Sequence, residues 1–146
     1  MNFDTYWKDL IHRVYNQNQT LTGLEALLYR LTCIYGETMV DGLEAYFERR
    51  YPSFDDDMQA LSDQGFSDIA DLYQQARQAM FGDAALTEET VVPVIDRLLD
   101  DEQNEKDAAI IHELDEISDR LIPRLPEVLD VRDRIGIENG LFDSNL

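Results

Sequence analysis

The sequence lacks the features of a secreted or membrane-spanning protein. Cys33 is its only cysteine, so the chain cannot form an internal disulfide, and a reducing compartment suits it. No apolar run approaches the roughly 20 residues that a transmembrane helix needs. The first residues carry neither the basic nor the apolar stretch of a signal peptide. These absences predict a soluble cytoplasmic protein that makes no contact with a membrane.

Positive charge is the second shortage. Only 12 lysines and arginines stand against 31 aspartates and glutamates, which gives a formal net charge of −19. Lys8 and Lys106 are the only lysines. Because a surface with this balance repels phosphate groups, we exclude direct binding to nucleic acid and to anionic membranes.

Catalytic motifs are also missing. The chain has no glycine-rich phosphate loop and no Gly-x-Ser-x-Gly elbow. His12 and His112 each have carboxylates three or four residues away, a spacing that can place ligands on one helix face. A carboxylate-bridged metal bundle would need two Glu-x-x-His units, which the sequence does not contain. We expect no catalytic residue, no metal and no cofactor, and keep a metal-binding or acid–base enzyme as an alternative.

The apolar residues recur at helical spacing along almost the whole chain. Gly36 is predicted to end the second helix, and Thr87 to cap the start of a later one. With 146 residues, of which 44% are apolar, the chain can bury one core. We predict an all-α fold, a single-domain irregular bundle of six to eight helices over residues 1–146. Because glycines stand at 136 and 140, we expect residues 136–146 to form a frayed tail.

The negative charge is concentrated in the second half of the sequence. Residues 1–53 have a net charge of −2, whereas residues 84–146 have −11. The densest stretch, Asp83 to Asp119, holds 13 acids against Arg97 and Lys106. Like charges at this density repel one another and destabilise the compact state. Their presence indicates either that the acidic surface has a function or that the acids are tolerated because they keep the protein soluble.

Two stretches of the sequence resemble a known family. One, over residues 37–47, places a glutamate before a glycine turn and a Tyr-Phe helix, and the other, over residues 65–81, places a glycine at the head of a helix. The matching residues are Glu37, Gly42, Tyr46, Phe47, Gly65, Ala76 and Phe81. Over about residues 20–135 the chain resembles a family of small acidic all-helical proteins, long classed as a domain of unknown function, whose described member is a DNA-mimic protein of the DMP type. The resemblance implies a helical fold, often a homodimer, that binds a DNA-binding protein in place of its DNA.

The spacing of the acids is compatible with mimicry. Duplex DNA presents one charge per roughly 1.7 Å of axis, and residues three or four apart on a helix stand roughly 5–6 Å apart at Cβ. We predict helical rows that pair Asp96 with Asp100, Asp101 with Glu105, Glu113 with Glu116, and Asp115 with Asp119, together with a cluster at a helix start. The predicted partner-binding acidic surface comprises Asp55, Asp56, Asp57, Asp96, Asp100, Asp101, Glu102, Glu105, Glu113, Asp115, Glu116 and Asp119.

The leading hypothesis from the sequence is a non-enzymatic, DNA-mimic-like protein. Its acidic helical surface would occupy the basic DNA-binding face of a partner such as a helix-turn-helix transcription regulator. An immunity or antitoxin protein that neutralises a basic toxin, such as a nuclease, would use the same electrostatics. Two simpler interpretations of the acids remain. They form a solvent-exposed face that binds no partner, or they adapt the protein to high salt.

Overall fold

A computed structural model describes residues 1–144 of the chain, and it confirms the all-α class, with no strand among those residues. The helices, numbered in chain order, are α1 Phe3–Tyr15, α2 Gly23–Arg50, α3 Phe54–Asp63, α4 Ser67–Phe81, α5 Glu88–Leu98, α6 Glu105–Leu121 and α7 Leu125–Glu138. Short 3₁₀ turns at Tyr51–Ser53 and Ile122–Arg124 join α2 to α3 and α6 to α7. Within the described residues, no helix is both long enough and apolar enough to cross a membrane.

Side-chain caps fix the starts of three helices. Asn2 accepts a hydrogen bond from the Thr5 backbone amide at α1. Thr87 accepts one from the Thr90 amide, which confirms it as the cap of α5. Asn104 does the same for the Asp107 amide at α6. Such caps satisfy amides that have no partner within the helix, so these polar residues determine where each helix begins.

Helix α2 does not end at Gly36, as the sequence predicts, but continues through it to Arg50. The break comes at Gly42, whose φ of 88° and ψ of −178° lie outside the helical region. Glycine adopts such a positive φ without the steric penalty that a Cβ would bring. The aromatic half of α2 is thereby redirected into the core.

The main core is formed by α2 to α7 around the aromatic half of α2. Tyr46, Phe47 and Tyr73 are fully buried at its centre. The Tyr46 ring lies 4.7 Å from that of Tyr73 and packs edge-on against Phe47. Large aromatic side chains dominate the energetics of cores, so this cluster fixes the position of α2 against α3 and α4.

A smaller cluster joins α1 to the end of the described chain. Phe142 is buried against Phe3 and Tyr6 of α1. The ring occupies the space beside Gly136, where a Cβ would overlap it. The structure therefore differs from the predicted frayed tail over residues 136–144, because an aromatic anchor follows the two glycines. Residues 145 and 146 lie outside the described residues.

Candidate functional site

Asp57 is wrongly placed in the predicted acidic surface, since its side chain is 0% exposed. Its Oδ1 accepts hydrogen bonds from Arg30 Nη1 at 2.7 Å and from Arg50 Nη2 at 2.6 Å. Its Oδ2 accepts from the Tyr46 hydroxyl at 2.8 Å and from Arg50 Nε at 3.1 Å. The cause is helical spacing, because Asp57 shares the inward face of α3 with Phe54 and Leu61.

This arrangement makes Asp57 a structural residue. Two guanidinium groups compensate one carboxylate, and the Tyr46 hydroxyl uses it as an acceptor. Burial, and then the negative charge of Asp57, raise the pKa of Tyr46 well above its ordinary value, so the hydroxyl stays protonated and donates. The sequence does contain a sign that Asp57 is buried. It stands three residues after Phe54 and four before Leu61, which places it on the apolar face of the helix.

The neighbouring acids Asp55 and Asp56 are exposed, as the sequence predicts. The Asp55 side chain is 92% exposed, and its nearest cationic partner is Arg77, at 3.8 Å. One run of three aspartates thus contributes two side chains to the surface and one to the core.

The remaining predicted acids are all exposed. Asp96 lies on α5, the next three occupy the connection between α5 and α6, and the last five lie on α6. We call this group the α5–α6 acids, and it consists of Asp96, Asp100, Asp101, Glu102, Glu105, Glu113, Asp115, Glu116 and Asp119.

Two of the four predicted rows are wrong, because α5 ends at Leu98. Asp96 and Asp100 therefore do not share a helix, and neither do Asp101 and Glu105. The connection is held by its own polar groups: the Gln103 side-chain amide donates to the carbonyls of Leu98 at 2.9 Å and of Asp100 at 3.1 Å. The other two rows, Glu113 with Glu116 and Asp115 with Asp119, do lie on α6.

Compensating charge is almost absent from this region. Among the described residues, Glu116 is the only one of the α5–α6 acids with a basic side chain within ion-pair distance, and its partner is His112 at 3.1 Å. Arg97 instead pairs with Asp107 at 3.4 Å. Asp107 is buried on α6 and does not belong to the predicted acidic surface. The feature of the sequence that could have identified Asp107 is the Asn104 cap three residues earlier. The cap places Asp107 in the first turn of α6, beside the end of α5.

Elsewhere most of the arginines form ion pairs with acids. Arg13 pairs with Glu25 at 2.6 Å and Arg49 with Glu37 at 2.6 Å. The hydrogen bond from Arg13 lowers the pKa of Glu25 below its ordinary value, against the opposing effect of burial. Ion pairs are thus frequent on α1 and α2. By contrast, Arg97, Lys106 and Arg120 form no ion pair with the α5–α6 acids among the described residues, although they are sequence neighbours of Asp96, Glu105 and Asp119.

The remaining candidates for chemistry are a metal site, the histidines and Cys33. Among residues 1–144, no group of three or more His, Cys, Asp or Glu side chains is placed to hold a metal ion. His112 is exposed and contacts only Glu116 among ionisable partners in that range. Burial raises the pKa of the half-buried Cys33 thiol, which disfavours the reactive thiolate.

Comparisons of the chain with models of known protein families, with curated proteins and with solved structures find no match.

Proposed function

We propose that the chain is a DNA-mimic-like interaction protein. In this proposal the α5–α6 acids occupy the basic DNA-binding face of a partner, such as a helix-turn-helix transcription regulator, and exclude its DNA. No residue performs chemistry. The resemblance seen around Gly42 and Tyr46 supports the same proposal.

The observation that carries the proposal is the lack of compensation among the α5–α6 acids. These side chains are exposed, and all but Glu116 lack a basic partner among the described residues, although eight arginines pair with other carboxylates in that range. Exposed, unmatched acids are available to a basic partner without breaking an internal ion pair. Their mutual repulsion is relieved when such a partner binds.

The charge density on α6 supports a phosphate-like role. Four of the acids lie on one short segment of α6, namely Glu113, Asp115, Glu116 and Asp119. The first and the last are six residues apart, which is about 9 Å along the helix axis. That spacing corresponds to about one charge per 2–3 Å, against roughly 1.7 Å for duplex DNA. At 100° per residue the four side chains spread over about 160° of the helix surface, so one basic face can reach them together.

The test is a pull-down at low salt from cells that express the protein, eluted in steps of increasing salt and analysed by mass spectrometry. We expect a DNA-binding protein to elute at moderate salt, because contacts of this kind weaken as ionic strength rises. The duplex that this partner recognises should compete with the chain for binding. A basic toxin in place of a regulator would support the antitoxin function instead, and recovery of abundant basic proteins alone would contradict both.

Two matched variants show whether a partner recognises the α5–α6 acids or only the net charge of the protein. The triple variant Asp100→Lys, Asp101→Lys, Glu102→Lys reverses the connection, where no helix has to be preserved. The control Glu48→Lys, Asp130→Lys, Glu138→Lys makes the same change in net charge at exposed positions on α2 and α7. We expect the first variant to abolish binding and the control to retain most of it. Equal loss in both would show that only the net charge of the protein attracts the partner.

A further inference from the structure

A cavity of about 230 Å³ lies where the 3₁₀ turn after α2 meets the connection between α4 and α5. Tyr51, Pro52 and Leu86 supply apolar walls, and Arg77 and Asp55 bring two opposite charges to the same space. The volume is below the roughly 300–1,000 Å³ of sites for drug-sized ligands, so any occupant is a small molecule. The exposed lining is more polar than apolar, so its two charged groups dominate what it can bind.

The Arg77 guanidinium lies against an aromatic ring, and its one acidic partner among the described residues, Asp55, is too distant for a hydrogen bond. Its guanidinium lies over the ring of Phe54, 5.3 Å from the centroid, and its side chain is only 25% exposed. A guanidinium carries five N–H donors. Among the described residues Arg77 makes one hydrogen bond, from Nη2 to the Ala84 carbonyl at 3.5 Å. By contrast, Arg50 makes two short bonds to Asp57, so Arg77 has unused donors beside a cavity.

Asp55 complements this arginine without neutralising it. The two side chains are 3.8 Å apart, about 1 Å longer than a charge-assisted hydrogen bond. At that separation each group can bond a ligand atom placed beside the other. A planar guanidinium is suited to a carboxylate, and an aspartate to an ammonium group.

We propose that this cavity binds a free α-amino acid with a small apolar side chain. Its carboxylate would lie on Arg77, its ammonium group on Asp55, and its side chain against Tyr51, Pro52 and Leu86. A simple anion would meet the repulsion of a chain with net charge −19, and a simple cation would meet Arg77. A zwitterion carries both charges on one carbon and satisfies both groups. This binding is independent of the contacts proposed for the α5–α6 acids.

The experiment is calorimetric titration of the full chain with alanine, valine, leucine and phenylalanine. Two analogues of leucine serve as controls: 4-methylpentanoate lacks the ammonium group and isoamylamine lacks the carboxylate. We expect saturable binding of at least one amino acid. We also expect each leucine analogue to bind at least about tenfold more weakly than leucine, because each leaves a charged protein group without its partner. Absence of binding by all four amino acids, or equal affinity for leucine and its analogues, would overturn the proposal.

Three variants locate the site. Arg77→Gln should abolish binding, and Arg77→Lys should weaken it, because lysine keeps the charge but loses the planar fork. Asp55→Asn should weaken binding by about tenfold. Asp56→Asn, one residue away and outside the cavity lining, should bind like the unmodified chain. Thermal melting of each variant shows whether the fold is intact. Unchanged affinity in a folded Arg77→Gln variant would place the amino acid elsewhere and refute this assignment.

Discussion

Asp57 of α3 and the α5–α6 acids have the same chemistry but lie in opposite environments. Asp57 is buried and held by two arginines and a tyrosine, whereas Asp115 and Asp119 are exposed and lack a basic partner among the described residues. The difference comes from the helix face on which each acid falls. A carboxylate on the inward face must be matched by positive charge or hydrogen bonds, and one on the outward face need not be. Local acid content therefore does not identify a binding surface until the face is known.

The largest expected effect follows from removing the buried charge. Asp57→Asn should lower the free energy of unfolding by about 3 kcal/mol, because it leaves Arg30 and Arg50 without their carboxylate. Urea denaturation of the variant measures the loss. The control Asp56→Asn, at an exposed position on the same turn, should change stability by less than about 0.5 kcal/mol. Equal effects at the two positions would remove the distinction between the faces.

A smaller effect, which depends on pH, is expected for a half-buried pair. Because the folded-state pKa of Glu25 lies below its ordinary value, the residue stabilises the fold above the unfolded pKa, about 4.3, and this contribution is lost as pH falls through the folded pKa. Glu25→Gln should therefore be less stable than the unmodified chain at pH 7, by about 1 kcal/mol or less. The two proteins should converge in acid. Denaturation curves at several pH values test this, with Glu48→Gln as the exposed control. A stability difference between the two proteins that grows in acid would contradict the prediction.

The smallest effect has the opposite sign. Neutralising Glu113, Asp115 and Asp119 to the amides should raise the free energy of unfolding at low ionic strength, because like charges three or four residues apart repel. The expected gain is about 0.5 kcal/mol, and it should shrink as salt is added. Denaturation in low and high salt measures it. A loss of stability would mean that these acids make stabilising contacts that outweigh their mutual repulsion.

The sequence was sufficient for properties that depend on local pattern. Apolar spacing predicted the all-α class, and Thr87 was identified as a cap because capping involves residues only three apart. The same periodicity accounts for the exposure of the acids on α5 and α6. Asp100, Asp101 and Glu102 are exposed instead because they lie in the connection between the two helices. The prediction for Asp57 is wrong because it treats three consecutive aspartates as one exposed cluster. The third of them lies on the apolar face of α3.

Features that depend on distant residues were not predicted. Apolar spacing predicts the helix end at Gly36, and only the resemblance over residues 37–47 indicates a glycine turn at Gly42, where the structure breaks the helix. The anchoring of Phe142 requires α1, which lies more than a hundred residues away in the chain. The cavity at Arg77 joins residues from three separate segments, so no motif could have indicated it.

The contact of Phe142 with α1 has a consequence for how the fold opens. α1 buries its inner face mainly in the small cluster that Phe142 completes, and not in the main core. Withdrawal of that ring from beside Gly136 uncovers Phe3 and Tyr6 in the same event. We therefore expect the first helix and residues 141–143 to open together, as one cooperative unit, while the aromatic centre around Tyr46 stays closed.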